Sequence, residues 1–281
     1  MLERQQIQSW LDEDIHTGDI TTESLIPDDK TAKANIIAKQ DGVACGFETI
    51  QQIAQCLGFE VANFEHVADG QPLKTGDCAA SFQGTYAGLL KAERCYLNLV
   101  QHLCGIATST RQFCDTIAHT EAKILDTRKT LPGLRLAAKR AVLAGGGLNH
   151  RIGLYDAFLI KENHIAAFRH LPNPFLSAIE TARRHDPDKP VIIEVESLDE
   201  MELALDGLPD VILLDNMSLE DIKKAADRVR AEKLDVQLEA SGGINLSTVK
   251  GVAETGVNRI SVGAITHSAM PLDLSMLIEV I

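Results

Sequence analysis

Beyond residue 120 the chain alternates short apolar runs with helix-like stretches, and this alternation constrains the fold more than any other feature. The runs lie at 122–126, 157–161, 191–194, 211–215, 236–241 and 259–263, with helix-like stretches at 136–143, 175–185, 198–205, 219–231 and 246–255 between them. The runs are too uniformly apolar for a sheet with one wet face. They predict a parallel sheet buried beneath helices. Six consecutive units favour a barrel, complete or partial, over an open sheet. The stretch at 219 carries its own start signal: Ser218 at the N-cap, Asp221 three residues on, and Ile222, Ala225, Ala226 and Val229 along one face.

The first part of the chain reads differently. It opens on an amphipathic stretch (Ile7, Trp10, Leu11) and a polar turn at 16–21. Segments at 34–38 and 79–84, punctuated by glycine, read as half-buried antiparallel strands. Apolar positions from Ala87 to about Cys114 predict one long helix, ended near Gly105. The expected organisation is an N-terminal α+β module at 1–112 and an α/β barrel at 113–281, with the final ~15 residues returning to the module.

The chain has 281 residues, 45% hydrophobic and 24% charged, the mixture of an ordinary folded protein. Its net charge of −13 disfavours nucleic acid and anionic lipid as partners. No apolar run approaches the ~20 residues needed to span a bilayer, and the N-terminus lacks the basic-then-apolar order of a signal peptide. A cytoplasmic protein is expected. The six cysteines, all within the first 114 residues, form no Cys-x-x-Cys pair and suggest neither a disulfide framework nor a zinc site.

In α/β barrels the chemistry stands at the C-terminal strand ends. Here those ends are Asp126, Lys161, Glu194, Asp215, Ser241 and Gly263. Around them lies a basic set in an acidic protein: Arg128, Lys129, Arg135, Lys139, His150, Arg151 and Lys161. Between Asp126 and His164, seven Lys/Arg face three Asp/Glu. Such a set is either a solvated or internally paired surface, with Asp126, Asp156 or Glu162 as partners, or the seat of a ligand with several negative charges. Glu194 and Asp215 on neighbouring strand ends suit Mg²⁺ or general acid–base work. Ser241-Gly242-Gly243 and Val262-Gly263-Ala264, at the last two strand ends, are turns or phosphate-binding loops that lead toward helix N-termini. Taken together these features describe a site for a phosphorylated sugar, a magnesium ion and a polyanionic co-substrate. The glycine run 145–147 has neither dinucleotide nor P-loop spacing.

These residues stand in motifs that closely resemble the quinolinate phosphoribosyltransferase family. The motifs are Asp126-Thr127-Arg128-Lys129-Thr130, Pro132-Gly133-Leu134-Arg135, Gly145-Gly146-Gly147-Leu148-Asn149-His150-Arg151, Leu159-Ile160-Lys161-Glu162-Asn163-His164, Leu214-Asp215-Asn216-Met217, Glu239-Ala240-Ser241-Gly242-Gly243 and Ser261-Val262-Gly263-Ala264. Upstream, Gly18-Asp19-Ile20-Thr21, Glu93-Arg94 and Gly105-Ile106-Ala107-Thr108 match as well.

The resemblance implies an N-terminal α/β (open-faced) sandwich plus an incomplete parallel α/β barrel of type II phosphoribosyltransferase kind. It also implies a homodimer in which the sandwich of one protomer faces the barrel of the other. The implied reaction converts quinolinate and 5-phosphoribosyl 1-pyrophosphate to nicotinate mononucleotide, pyrophosphate and CO₂ in NAD biosynthesis, with Mg²⁺ and no organic cofactor. On matching positions, Arg128, His150, Arg151 and Lys161 hold the quinolinate carboxylates, and Arg94 joins from the neighbouring subunit. Lys129 reaches the pyrophosphate, Glu194 and Asp215 serve metal and ribose, and Ser241, Gly242, Gly243 and Gly263 bind the 5-phosphate. Two departures stand out: 136–140 is worded differently from the usual helix although Lys139 keeps a basic position, and Ile192 replaces an acid found in some relatives. The competing readings are a paralogue with another acceptor, a nicotinate-utilising enzyme, and a non-catalytic anion-binding barrel.

Overall fold

The computed structural model describes residues 3–281. Their contacts divide into two compact units. The first runs to Arg111 and includes Thr130–Gly146 and Ile265–Ile281; the second comprises Gln112–Lys129 and Gly147–Ala264. The segment 130–146, which the sequence pattern assigns to the barrel, thus belongs to the first unit.

In the first unit, α1 (Arg4–Ile15) buries Ile7 and Leu11. Asp19 caps α2 (Ile20–Leu25) by accepting the Thr21 and Thr22 N–H groups, so part of the predicted polar turn is a helix start. Strands β1 (Thr31–Ala38), β2 (Gly42–Val43), β3 (Ala62–His66), β4 (Pro72–Leu73) and β5 (Cys78–Thr85) follow, with α3 (Thr49–Leu57) between β2 and β3. That helix lies where the sequence suggests only strands; Ile50, Ile53 and Ala54 form its buried face and Gly58, left-handed, ends it. The long α4 (Tyr86–Thr116) runs straight through Gly105. Glycine is needed there because the Met270 carbonyl presses against the helix where a Cβ would sit. α5 (Arg135–Ala144) completes the unit's longer helices.

Strand β12 (Leu274–Val280) returns to pair antiparallel with β1, giving a sheet of order β12-β1-β5-β3. Phe82 on this sheet meets Tyr96 of α4 edge-on, and the Tyr96 hydroxyl donates to the Phe47 carbonyl, which satisfies a fully buried phenol.

The second unit holds the six predicted strands, all parallel: β6 (Lys123–Leu125), β7 (Phe158–Ile160), β8 (Val191–Val195), β9 (Val211–Asp215), β10 (Gln237–Ser241) and β11 (Arg259–Ser261). Their order is β6-β11-β10-β9-β8-β7. The last strand pairs with the first, while β6 and β7, consecutive in the chain, do not pair. This is a barrel closed everywhere except at one seam. α6 (Glu162–Ile165), α7 (Pro174–His185), α8 (Leu198–Leu205), α9 (Leu219–Glu232) and α10 (Val249–Ala253) fall between strands, and α11 (Ala264–His267) follows β11. As its sequence predicts, α9 is capped by Ser218, and it buries Ile222, Ala225, Ala226 and Val229. β8 and β9 are buried almost throughout, and Asp215 and Ser241, at the ends of their strands, are only half-buried. Apolar strand bodies therefore fix the barrel and leave their polar ends at one rim.

Candidate active site

At that rim a cleft of about 430 Å³ gathers Arg128, Lys129, His150, Arg151, Lys161, Glu194, Asp215, Ser241, Gly242 and Gly243. All belong to the second unit. Of the site residues read from the sequence, Gly263 does not line the cleft, and Arg94 belongs to the first unit, where it borders a separate cleft of about 290 Å³ with Trp10, Asn98 and His102. Lys139 is buried within α5 and lies outside the rim cleft.

Two guanidinium groups dominate the electrostatics. The Nε atoms of Arg128 and Arg151 are buried and make no hydrogen bond among the described residues. Burial, and then the neighbouring Arg128 charge, push Arg151 below the usual arginine value, with Asp156 acting in the opposite sense. Arg151 spends Nη1 on the Ala157 carbonyl at 3.2 Å. The carboxylate closest to it in sequence is engaged elsewhere: Asp156 accepts the Ile152 and Gly153 N–H groups at 2.6 and 2.9 Å. Two neighbouring cations with buried, unmet donors, offset in part by Asp156, make an anion welcome at this rim.

Lys161 is treated differently, because its ammonium is paired with Glu194. An ammonium carries three donors, so this pairing leaves room for a ligand oxygen. Burial raises the Glu194 carboxyl above its ordinary value; Lys161 counteracts this and Asp215 adds to it. Glu194 and Asp215 thus form a mutually repelling pair beside a lysine. Among the described residues no group of three or more His, Cys, Asp or Glu side chains is arranged to hold a metal. Two carboxylates alone fit Mg²⁺, which takes one or two from the protein and completes its shell with water and substrate phosphate.

The glycine loop is built for close approach. Gly242 and Gly243 both have positive φ, +98° and +59°. A Cβ on Gly242 would collide with the Asn216 side chain, whereas one on Gly243 would meet nothing. Asn216 is itself left-handed (φ 54°), donates to Asp215 at 2.7 Å and gives its N–H to the Ser241 carbonyl at 2.9 Å. It locks the end of β9 to that of β10. The next helix, α10, starts only at Val249 and has five residues. The loop therefore offers an anion its backbone N–H groups rather than a helix dipole.

Sequence reasoning assigns no role to Thr127, Asn216 and Ser261, which also line the cleft. For Asn216 the signal was present: an Asn directly after the terminal Asp of a strand readily takes the left-handed conformation.

Fold and rim together define a class, an open-seamed α/β barrel with a cleft lined by basic and acidic side chains at its strand ends. Comparison with known proteins narrows it. The model of the quinolinate phosphoribosyl transferase C-terminal domain matches residues 106–277, and that of the N-terminal domain matches 19–104. Among curated proteins, a probable nicotinate-nucleotide pyrophosphorylase [carboxylating] of Bacillus subtilis is 41% identical, over 94% of this chain and 89% of its own length. A nicotinate-nucleotide pyrophosphorylase [carboxylating] of Mycobacterium leprae is 39% identical over 97% and 96%. The solved nicotinate-nucleotide pyrophosphorylase of Francisella tularensis superposes with a TM-score of 0.87 at 38% identity, covering 98% of this chain and 95% of that one. The chain belongs to the quinolinate phosphoribosyltransferase family.

Proposed function

We propose that this chain is a decarboxylating phosphoribosyltransferase that joins quinolinate to 5-phosphoribosyl 1-pyrophosphate and releases nicotinate mononucleotide, pyrophosphate and CO₂. The observation that carries the reading is that Arg128, Arg151 and Lys161 line one cleft, the two guanidinium groups close enough that, beyond burial, the Arg128 charge lowers the pKa of Arg151. A pyridine with adjacent carboxylates supplies two anionic forks for two guanidinium forks. A monocarboxylate would leave one of them unmatched.

In this reading Arg128, Arg151 and Lys161 hold the two carboxylates, with His150 beside them in the cleft wall. The partner subunit's Arg94 completes the set in a homodimer. The 5-phosphate rests on the backbone N–H groups of Ser241, Gly242 and Gly243, with Gly263 following the next strand. Lys129 neutralises the departing pyrophosphate. Glu194 and Asp215 face the ribose and would hold Mg²⁺, which supplies charge neutralisation for the leaving group.

The ring nitrogen attacks the ribose C1 as the C1–O bond to pyrophosphate breaks, and the leaving group departs with that electron pair. The carboxylates stabilise the developing positive charge, and the arginines fix the attack geometry. The ring nitrogen is now cationic. Scission of the C2–carboxylate bond releases CO₂ and leaves its electron pair on C2, next to that cation, until a proton is added. The substrate acts as its own electron sink.

The test supplies phosphoribosyl pyrophosphate and Mg²⁺ with either quinolinate or nicotinate. Nicotinate mononucleotide with one equivalent of CO₂ is expected from quinolinate; product from nicotinate alone would overturn the reading. For the shared site, mixing Arg94→Ala with Lys129→Ala protomers restores activity through heterodimers. Absence of recovery despite subunit exchange would count against Arg94 acting across an interface.

A further inference from the structure

Two carboxylates of the barrel unit, Asp126 and Glu239, are fully buried and have no part in the proposed reaction; Glu239 is the one that faces a cleft histidine. It is fully buried on β10, two residues before Ser241, and therefore shares the strand face that carries Ser241 to the cleft. Its Oε2 accepts from Arg259 Nε at 2.8 Å, the register neighbour on β11. Its Oε1 stands 3.3 Å from His150 Nε2 and makes no hydrogen bond among the described residues, so the two meet as a close electrostatic contact. Burial pushes the Glu239 carboxyl up, but His150, Arg259 and the Ser261 hydroxyl outweigh it and hold the group below the usual glutamate value. The buried charge is offset by the hydrogen bond from Arg259 and by the nearby His150.

The histidine at the other end of this contact is fixed on three sides. The His150 N–H donates to buried Asp126 at 2.8 Å. Its ring Nδ1 accepts the Arg151 N–H at 2.7 Å. An Nδ1 that accepts carries no proton, so the proton sits on Nε2, the atom facing Glu239. The imidazole thus links a buried carboxylate to the backbone of the arginine whose guanidinium enters the cleft.

We infer that Glu239 is a positioning residue for the acceptor-binding site: it fixes the Nε2–H tautomer of His150, and through His150 Nδ1 the Arg151 backbone, so that the Arg151 guanidinium is held ready for a substrate carboxylate. The inference rests on the proposed reaction. The second substrate, bound at the glycine loop and the carboxylate pair, is not addressed by this relay.

Glu239→Gln is the informative change. An amide that keeps its oxygen on Arg259 turns its NH2 group toward His150 Nε2, so a donor replaces the carboxylate oxygen that faces the ring. kcat/KM for quinolinate falls by about 10- to 100-fold, mainly through KM, the usual scale for losing such a supporting partner. The KM for phosphoribosyl pyrophosphate is little changed. Adding Arg259→Met removes the competing donor, frees the amide oxygen for His150 and restores the quinolinate KM in part.

An unchanged quinolinate KM in a folded Glu239→Gln protein, equal losses for both substrates, or no recovery in the double variant overturns the assignment. Should Glu239→Gln not fold, ¹⁵N NMR of the wild-type imidazoles decides. A His150 ring protonated on Nε2 is expected, assigned by its loss in His150→Gln, and protonation on Nδ1 refutes the relay. If the wild type turns over no quinolinate the proposed reaction fails; if it does and these outcomes are absent, only the relay fails.

Discussion

Each unit contains an arginine close to carboxylates, and the two are used in opposite ways. In the first unit Arg140 is paired with both Glu48 and Asp69, and Asp69 also accepts the Gly46 N–H at 2.9 Å. In the second, Arg151 has a like charge, Arg128, for a neighbour, and both keep a buried donor unmet. A guanidinium with its acids in place holds a fold together. One set beside a like charge, with a buried donor unmet and only the Ala157 carbonyl and the Asp156 charge in partial compensation, keeps capacity for a ligand.

Arg151→Ala is the most severe way to break this comparison. Quinolinate binding weakens by roughly 2–5 kcal/mol because a substrate carboxylate loses its buried partner. The melting temperature does not fall, since a repulsion with Arg128 is relieved. Isothermal titration and a thermal melt check both parts, and a large drop in melting temperature would place Arg151 with Arg140 as a structural ion.

Glu194→Gln comes next, lowering kcat on the order of 10²-fold by removing charge stabilisation at the ribose. Its pH dependence sharpens the point. Burial raises the folded-state pKa of Glu194, so the carboxylate form is lost as pH falls through a value above the ordinary 4.5. The acid limb of kcat/KM for phosphoribosyl pyrophosphate accordingly lies above 4.5 and vanishes in Glu194→Gln. A limb at or below the ordinary carboxylate value in the wild type contradicts Glu194 as its source.

The smallest effect belongs to the paired arginine. Arg140→Met costs about 1 kcal/mol of stability, the scale of a partly exposed ion pair, and leaves quinolinate kcat/KM unchanged. Denaturant titration with steady-state kinetics tests this. A kinetic loss without a stability loss would erase the distinction between the two arginines.

The rim was legible because parallel strands buried on both faces leave an unmistakable pattern: apolar bodies closed by Lys161, Glu194, Asp215 and Ser241 at one end each. The same logic fails for α3, whose nine residues sit among glycine-punctuated strands, and for Gly105, where glycine marks a close approach by Met270 rather than a helix end. Local pattern cannot tell a terminator from a contact made by a residue far along the chain. Nor could it move 130–146 out of the barrel, because a helical period looks the same whichever unit the helix joins.

By itself, then, the sequence determined the alternation of strands and helices in the second unit, the face on which the polar strand ends emerge, and the surplus of positive charge between Asp126 and His164. Only the tertiary structure decided which of those charges are spent. It paired Lys161 with Glu194, left Arg128 and Arg151 waiting, and set Glu239 behind His150. The reason is one of range. Hydrophobic periodicity is written over neighbouring residues, whereas the fate of a charge depends on its first few ångströms of surroundings, which strand register and loop closure bring together from distant parts of the chain.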